Sequence, residues 1–151
     1  MMAKESMAKQ TKISESRNKP EKRIRDGSKR KKRILIVEDD EDTVRLYKQV
    51  LGDKYELKTV DTAKKALNQL KKDDFDLMIL DIILPEESGE QFFARIKDMG
   101  DKRLKDIRVL FISVLGDVSE FAKKIDPKAG SLSKPFTKED LALNIEEMMN
   151  D

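Results

Sequence analysis

Three short stretches of the chain are apolar at nearly every position: Ile34 to Val37, Leu77 to Leu80, and Ile107 to Ile112, the last broken only by Arg108. Runs of this length, rich in β-branched and aliphatic residues, predict strands buried on both faces, as in a parallel sheet. Residues 55–60 alternate apolar and polar, and residues 130–133 make a brief final strand. Between these segments the spacing changes to that of helices. Val44, Tyr47, Val50 and Leu51 share one helical face, with Gly52 as the stop. Ala63, Ala66, Leu67 and Leu70 share another, with Asp61 expected as the N-cap. Ser88 and Gln91 have capping-box spacing ahead of Phe92, Phe93, Ile96 and Met99. Val118, Phe121, Ala122 and Ile125 give a short fourth face. Thr137 and Asp140 open a fifth helix that carries Leu141, Ile145, Met148 and Met149. Five strands alternating with five helices predict an α/β fold, a doubly wound parallel sheet with helices on both faces.

Composition sharpens this. Charged residues (41%) outnumber apolar ones (38%), so a core forms only because the apolar positions cluster in those runs. No stretch approaches the roughly 18 apolar residues of a membrane span, and the polar N-terminus lacks the apolar run of a secretory signal. The expected location is cytoplasmic. With no Cys and no His, disulfides, thiol chemistry and histidine-based acid–base or zinc sites are excluded. Residues 1–32 carry 12 Lys+Arg against 4 Asp+Glu, a net +8, and residues 33–151 carry 20 against 26, a net −6. The first segment has no apolar period and contains Pro20 and Gly27. It is expected to be a disordered basic tail, with residues 33–150 as the domain. Electrostatic contact of the tail with nucleic acid or an acidic partner, centred on Lys29 to Arg33, is an alternative, although no aromatic residue is interleaved there for stacking on bases.

The residues just past the apolar runs carry the chemistry. Glu38, Asp39 and Asp40 follow the first, Asp81 the second and Ser113 the third, and Lys134 follows the short last strand. In a parallel sheet these positions gather at one edge, where ligands of such folds bind. Each alone is an ordinary turn or cap residue. Together, clustered carboxylates, a hydroxyl and an ammonium suit phosphoryl transfer to an aspartate. A hard divalent ion such as Mg²⁺ relieves the mutual repulsion of the carboxylates. The transfer is then governed by positioning and charge stabilisation.

Taken with Asp81, Pro85 and Gly89, the Val109 to Ser113 run and the Ser133, Lys134, Pro135, Phe136 ending, residues 33–150 resemble the receiver domain of two-component response regulators, the CheY-like superfamily. The resemblance implies a flavodoxin-like sheet in strand order 2-1-3-4-5. It implies that Glu38, Asp39, Asp81 and the Ile83 carbonyl hold Mg²⁺, that Asp81 is the phosphoacceptor, that Ser113 and Lys134 bind the phosphoryl group, and that Pro85 and Pro135 shape the site, the latter after a cis bond. The implied donor is a histidine kinase or phosphotransfer protein of a phosphorelay. With no output domain expected after the last helix, a stand-alone switch would act on an unknown downstream protein through the fourth helix, last strand and fifth helix. It would not be a turnover enzyme.

The chain departs from the family pattern at two places. Ser131 stands where an aromatic residue usually reports phosphorylation, and Val114 follows the switch hydroxyl where a small residue is usual. Two rival readings remain. One is a pseudo-receiver that binds partners without phosphorylation. The other is a Mg²⁺-dependent phosphatase with Asp40 as nucleophile, since Asp40, Asp42 and Val44 match an Asp-x-Asp-x-Val opening. The acids after Lys134, Glu139 and Asp140, fall in a helix start rather than at a strand end, and Asp42 is equally a first-turn helix acid.

Overall fold

The computed structural model describes residues 30–150; the expected basic tail therefore lies almost wholly outside the described residues. From Lys32 onward they form one compact unit. Its strands are β1 (Arg33–Val37), β2 (Glu56–Val60), β3 (Leu77–Asp81), β4 (Arg108–Ser113) and β5 (Gly130–Ser133). Its helices are α1 (Glu41–Leu51), α2 (Ala63–Lys72), α3 (Gly89–Lys97), α4 (Lys102–Lys105), α5 (Ser119–Ile125) and α6 (Lys138–Met149). The sheet is parallel throughout, in the order β2-β1-β3-β4-β5, as the resemblance implies.

The continuous apolar runs become the three central strands because both of their faces are covered. Leu35, Val37, Met78, Leu80, Val109 and Phe111 point to one side, against α2, α3, α4 and α5. Ile34, Ile36, Leu77, Ile79, Leu110 and Ile112 point to the other, where Tyr47 and Leu51 of α1 and Leu141 and Ile145 of α6 close over them. Burying one such side chain contributes roughly 1.5–3 kcal/mol, so these two layers hold the sheet rigid beneath its polar edge.

The helix starts follow local chemistry. Ser88 accepts from the Gln91 N–H at 3.2 Å, and the Gln91 side chain accepts in return from the Ser88 N–H at 3.3 Å, completing the expected capping box. Thr137 caps α6 by accepting from the Asp140 N–H at 2.9 Å. At α2 the cap is Thr62, not Asp61: the Thr62 hydroxyl accepts from the Lys65 N–H at 3.1 Å, and Asp61 pairs instead with the Lys65 ammonium at 3.0 Å.

Among the described residues there are six helices rather than five. The additional one-turn α4 is capped by Asp101 and plants Leu104 in the core. It contributes a single buried side chain, too few for a periodic signal. Met99 and Phe121, expected on buried faces, are 43% and 39% exposed. Helix α3 ends before Met99, and α5 is too short for a full stripe of contacts.

Candidate functional site

The carboxyl edge of the sheet is assembled by register. Asp81 ends β3 opposite Ile112, and Ser113 ends β4 opposite Ser133, which places Lys134 one residue past the β5 pairing. Glu38 continues the line of β1, its N–H donating to the Val60 carbonyl at 3.0 Å. Lys134 is drawn against β4 by its own N–H, which donates to the Ser113 carbonyl at 2.7 Å. The Lys134–Pro135 bond is cis.

Glu38 (3% exposed), Asp81 (6%) and Ser113 (0%) are the buried polar residues among those described. The Lys134 ammonium bridges the two acids, donating to Glu38 Oε1 at 3.2 Å and to Asp81 Oδ2 at 3.1 Å. The other Glu38 oxygen accepts from the Asp40 N–H at 3.1 Å, and Asp81 Oδ1 accepts from the Ile83 N–H at 2.9 Å. Asp39 is exposed on the rim. Carboxylate oxygens of Glu38, Asp39 and Asp81 lie within 4.8 Å of one another. Three carboxylates against one ammonium leave an excess of two negative charges in a half-buried place. Burial first, and the Asp81 charge second, push the Glu38 carboxyl up to about 7, against the lowering effect of the Asp40 N–H and Lys134. Burial pulls the Lys134 ammonium down, but its hydrogen bond to Asp81 and the charges of Asp81 and Glu38 outweigh that and raise it. An all-oxygen, doubly negative donor set fits a small hard dication.

The loop after Asp81 is held tightly. Pro85 accepts through its carbonyl from the Glu87 N–H at 2.8 Å, and Glu86 adopts φ +73°, a left-handed conformation uncommon outside glycine. Gly89 donates to the Ile82 carbonyl at 2.8 Å, and a Cβ on Gly89 would lie 2.2 Å from the Asp81 carbonyl oxygen. Only glycine lets the start of α3 approach the acidic residue so closely. The sequence motif included Gly89 but carried no sign of this contact.

Asp40 stands apart from the cluster. Its carboxylate caps α1, accepting from the Thr43 N–H at 3.0 Å and the Thr43 hydroxyl at 2.6 Å, which together hold it below the usual carboxylate range. Asp42 lies in the first turn of the same helix. Sequence reasoning also missed Tyr47. It stacks on Phe136 with ring centres 6.1 Å apart, and its buried hydroxyl has no hydrogen-bond partner. Burial, then the charges of Glu38 and Asp81, raise that phenol well above its ordinary value. Helical spacing marked Tyr47 as core and carried no sign of its proximity to the acids.

The sequence profile of the response regulator receiver domain matches residues 34–146. The chain is 32% identical over 120 residues to the response regulator receiver protein CpdR of Brucella abortus, covering 78% of this chain and 97% of that one. It is 31% identical over 124 residues to the transcriptional regulatory protein CrdR of Helicobacter pylori, covering 80% of this chain and 56% of that one. It thus spans nearly all of the Brucella protein and about half of CrdR. Among solved structures, a CheY-like receiver domain protein from Methanospirillum hungatei superposes with TM-score 0.70 at 26% identity, over 80% of this chain and 95% of that one. The chemotaxis regulator CheY4 of Vibrio cholerae superposes with TM-score 0.70 at 22% identity, over 79% and 99%, and shares the fold. The sheet order and the three acids and lysine on its carboxyl edge accord with these similarities. The chain belongs to the response regulator receiver domains of two-component systems.

Proposed function

We propose that this receiver accepts a phosphoryl group on Asp81 from a phosphohistidine of a histidine kinase or phosphotransfer protein. The observation that carries the reading is the buried Glu38–Lys134–Asp81 bridge with Asp39 beside it. In the transfer, an Asp81 carboxylate oxygen forms a bond to phosphorus while the donor's N–P bond breaks, leaving the electron pair on the donor imidazole. Glu38, Asp39, Asp81 and the Ile83 carbonyl would hold Mg²⁺, which supplies charge neutralisation for the phosphoryl oxygens. Lys134 supplies a second positive charge, and Ser113 a hydroxyl donor. The Ile83 N–H keeps Asp81 oriented. Water returns the acyl phosphate to Asp81 and inorganic phosphate, so the protein acts as a timed acceptor and not as a turnover enzyme. Among the described residues no helix is long and apolar enough to cross a membrane. The proposed switch is cytoplasmic and acts on a downstream protein. Residues 1–32 would be a basic arm appended to the 33–150 receiver.

The test is intact-mass spectrometry of the full chain after incubation with acetyl phosphate and Mg²⁺, with peptide mapping of the adduct. One phosphoryl group on Asp81, lost when a chelator is added, is the expected result. No adduct from either acetyl phosphate or a phosphorylated histidine donor would favour a pseudo-receiver. An adduct on Asp40 would overturn the assignment.

A further inference from the structure

The five residues that follow the switch strand are tied down at both ends by serine hydroxyls from two different strands. At the near end, Ser113 Oγ accepts from the Leu115 N–H at 2.8 Å. At the far end, Ser131 Oγ accepts from the Val118 N–H at 3.1 Å. Val118 is the N-cap position of α5, and its own N–H is met by this hydroxyl from β5, while the next N–H, that of Ser119, donates to Asp117 Oδ1 at 2.8 Å. Ser131 sits opposite Phe111 in the β4–β5 register, two residues from the Ser113–Ser133 pair. Between Ser113 and Val118 lie Val114 (57% exposed), Leu115 (68% exposed), Gly116 and Asp117. Gly116 has φ +94°, and a Cβ there would meet nothing within 4 Å. The other end of α5 is fixed as well: Asp126 pairs with Lys97 of α3 at 3.0 Å, with side chains only 19% and 12% exposed.

These contacts divide the segment into a part that can move and a part that cannot. The Ser113 oxygen is engaged with its own loop, so turning that hydroxyl toward a group on Asp81 breaks the bond to Leu115. Ser131 has no such competing demand. We infer that Ser131 is the fixed anchor of a two-serine clamp on residues 114–118 and Ser113 the releasable one, so that phosphoryl binding frees the Leu115 end, pivots the loop at Gly116 and leaves Val118 and α5 in place. The inference rests on the phosphoacceptor reading above and adds how the signal leaves the site. A residue that lacks an aromatic ring transmits by holding still while the exposed Val114–Leu115 pair changes position. Ser131 is here a positioning residue, not a catalytic one.

The test is amide–water exchange, measured by NMR on the full chain with and without Mg²⁺ and beryllium fluoride as the phosphoryl mimic. Bound fluoride is verified first by its own resonance. The mimic is expected to speed exchange at Leu115 about fivefold, the factor for loss of one ordinary hydrogen bond, and to leave Val118 within twofold. Ser131→Ala is expected to speed Val118 exchange by a similar factor even without the mimic, and Ser131→Thr, which keeps the hydroxyl, to restore protection. Loss of protection at Val118 in the wild-type protein on mimic binding would overturn the clamp, as would unchanged Val118 exchange in Ser131→Ala. Bound mimic with no change at Leu115 would remove the releasable role of Ser113. Failure of the mimic to bind would strike the phosphoacceptor reading and that releasable role with it. The Ser131 anchor then still stands or falls on the unliganded exchange.

Discussion

At the amino ends of the strands, Asp73, Asp74, Asp76 and Asp101 meet Arg33 and Arg103; at the carboxyl ends, Glu38, Asp39 and Asp81 meet Lys134. At the amino edge the acids are shared among two guanidinium groups and a backbone N–H. The Arg33 guanidinium lies 3.6 Å from Asp73 and 3.5 Å from Glu56, and the Arg33 backbone N–H donates to Asp76 at 2.8 Å. Arg103 lies 2.7 Å from Asp74 and 3.8 Å from Asp101. The side chains of Asp73, Asp74 and Asp101 are 41–67% exposed. Exposed pairs of this kind contribute roughly 0–1 kcal/mol each. At the carboxyl edge the Glu38 and Asp81 side chains are only 2% and 8% exposed and converge on one ammonium. The same residue types therefore trim a surface at one end and store unbalanced charge at the other. Burial and the count of countercharges make the difference.

The largest separation between the two ends is expected in phosphoryl uptake. Asp81→Asn should abolish the adduct in the mass assay, whereas Asp74→Asn should leave it intact and shift stability by less than about 1 kcal/mol. An adduct that survives in Asp81→Asn would collapse the distinction.

Next comes Lys134→Ala. Removing the one cation from a pair of buried acids should cost about 2 kcal/mol, less than the roughly 3–5 kcal/mol of a fully buried pair because the lysine is partly exposed. With its competitor gone, Mg²⁺ should raise the melting temperature more in the variant than in the wild type, while phosphoryl uptake falls. A variant that neither loses stability nor gains response to Mg²⁺ would show that Lys134 does not balance this charge.

Proton linkage sharpens the contrast. The Glu38 carboxyl is raised to about 7 from its ordinary 4.5, so between those values the folded protein holds a proton that the unfolded chain has released. Its contribution therefore favours folding below pH 4.5 and is lost as pH rises through about 7. Metal-free protein should lose stability across that window in denaturant titrations. Glu38→Gln or saturating Mg²⁺ should flatten the slope. A slope unchanged by Glu38→Gln would assign the dependence elsewhere.

The smallest effect concerns the acid beside the site that is occupied as a cap. Asp40→Ala should lower the melting temperature slightly through the loss of its Thr43 bonds and leave the Asp81 adduct in place. Loss of the adduct with the fold intact would return Asp40 to the chemistry.

The sequence by itself determined the strands that are buried on both faces, because such strands read as unbroken apolar runs. It also determined the capping box at Ser88 and Gln91 and the cap at Thr137, because these are bonds across three residues. It brought Glu38, Asp39, Asp81, Ser113 and Lys134 to one edge, because parallel strands carry all their ends to the same side. Other features were settled only by packing. Thr62 rather than Asp61 caps α2, α4 forms around one buried leucine, and Phe121 stays open because α5 is short. The reach of Lys134 to Glu38 across 96 positions, the raised Glu38 carboxyl and the Ser131 bond to Val118 had no local signature. Periodicity and caps act over a few residues and are written in neighbouring letters. A charge's burial and a hydroxyl's partner depend on groups that meet only when the sheet has closed and water has left the space between them.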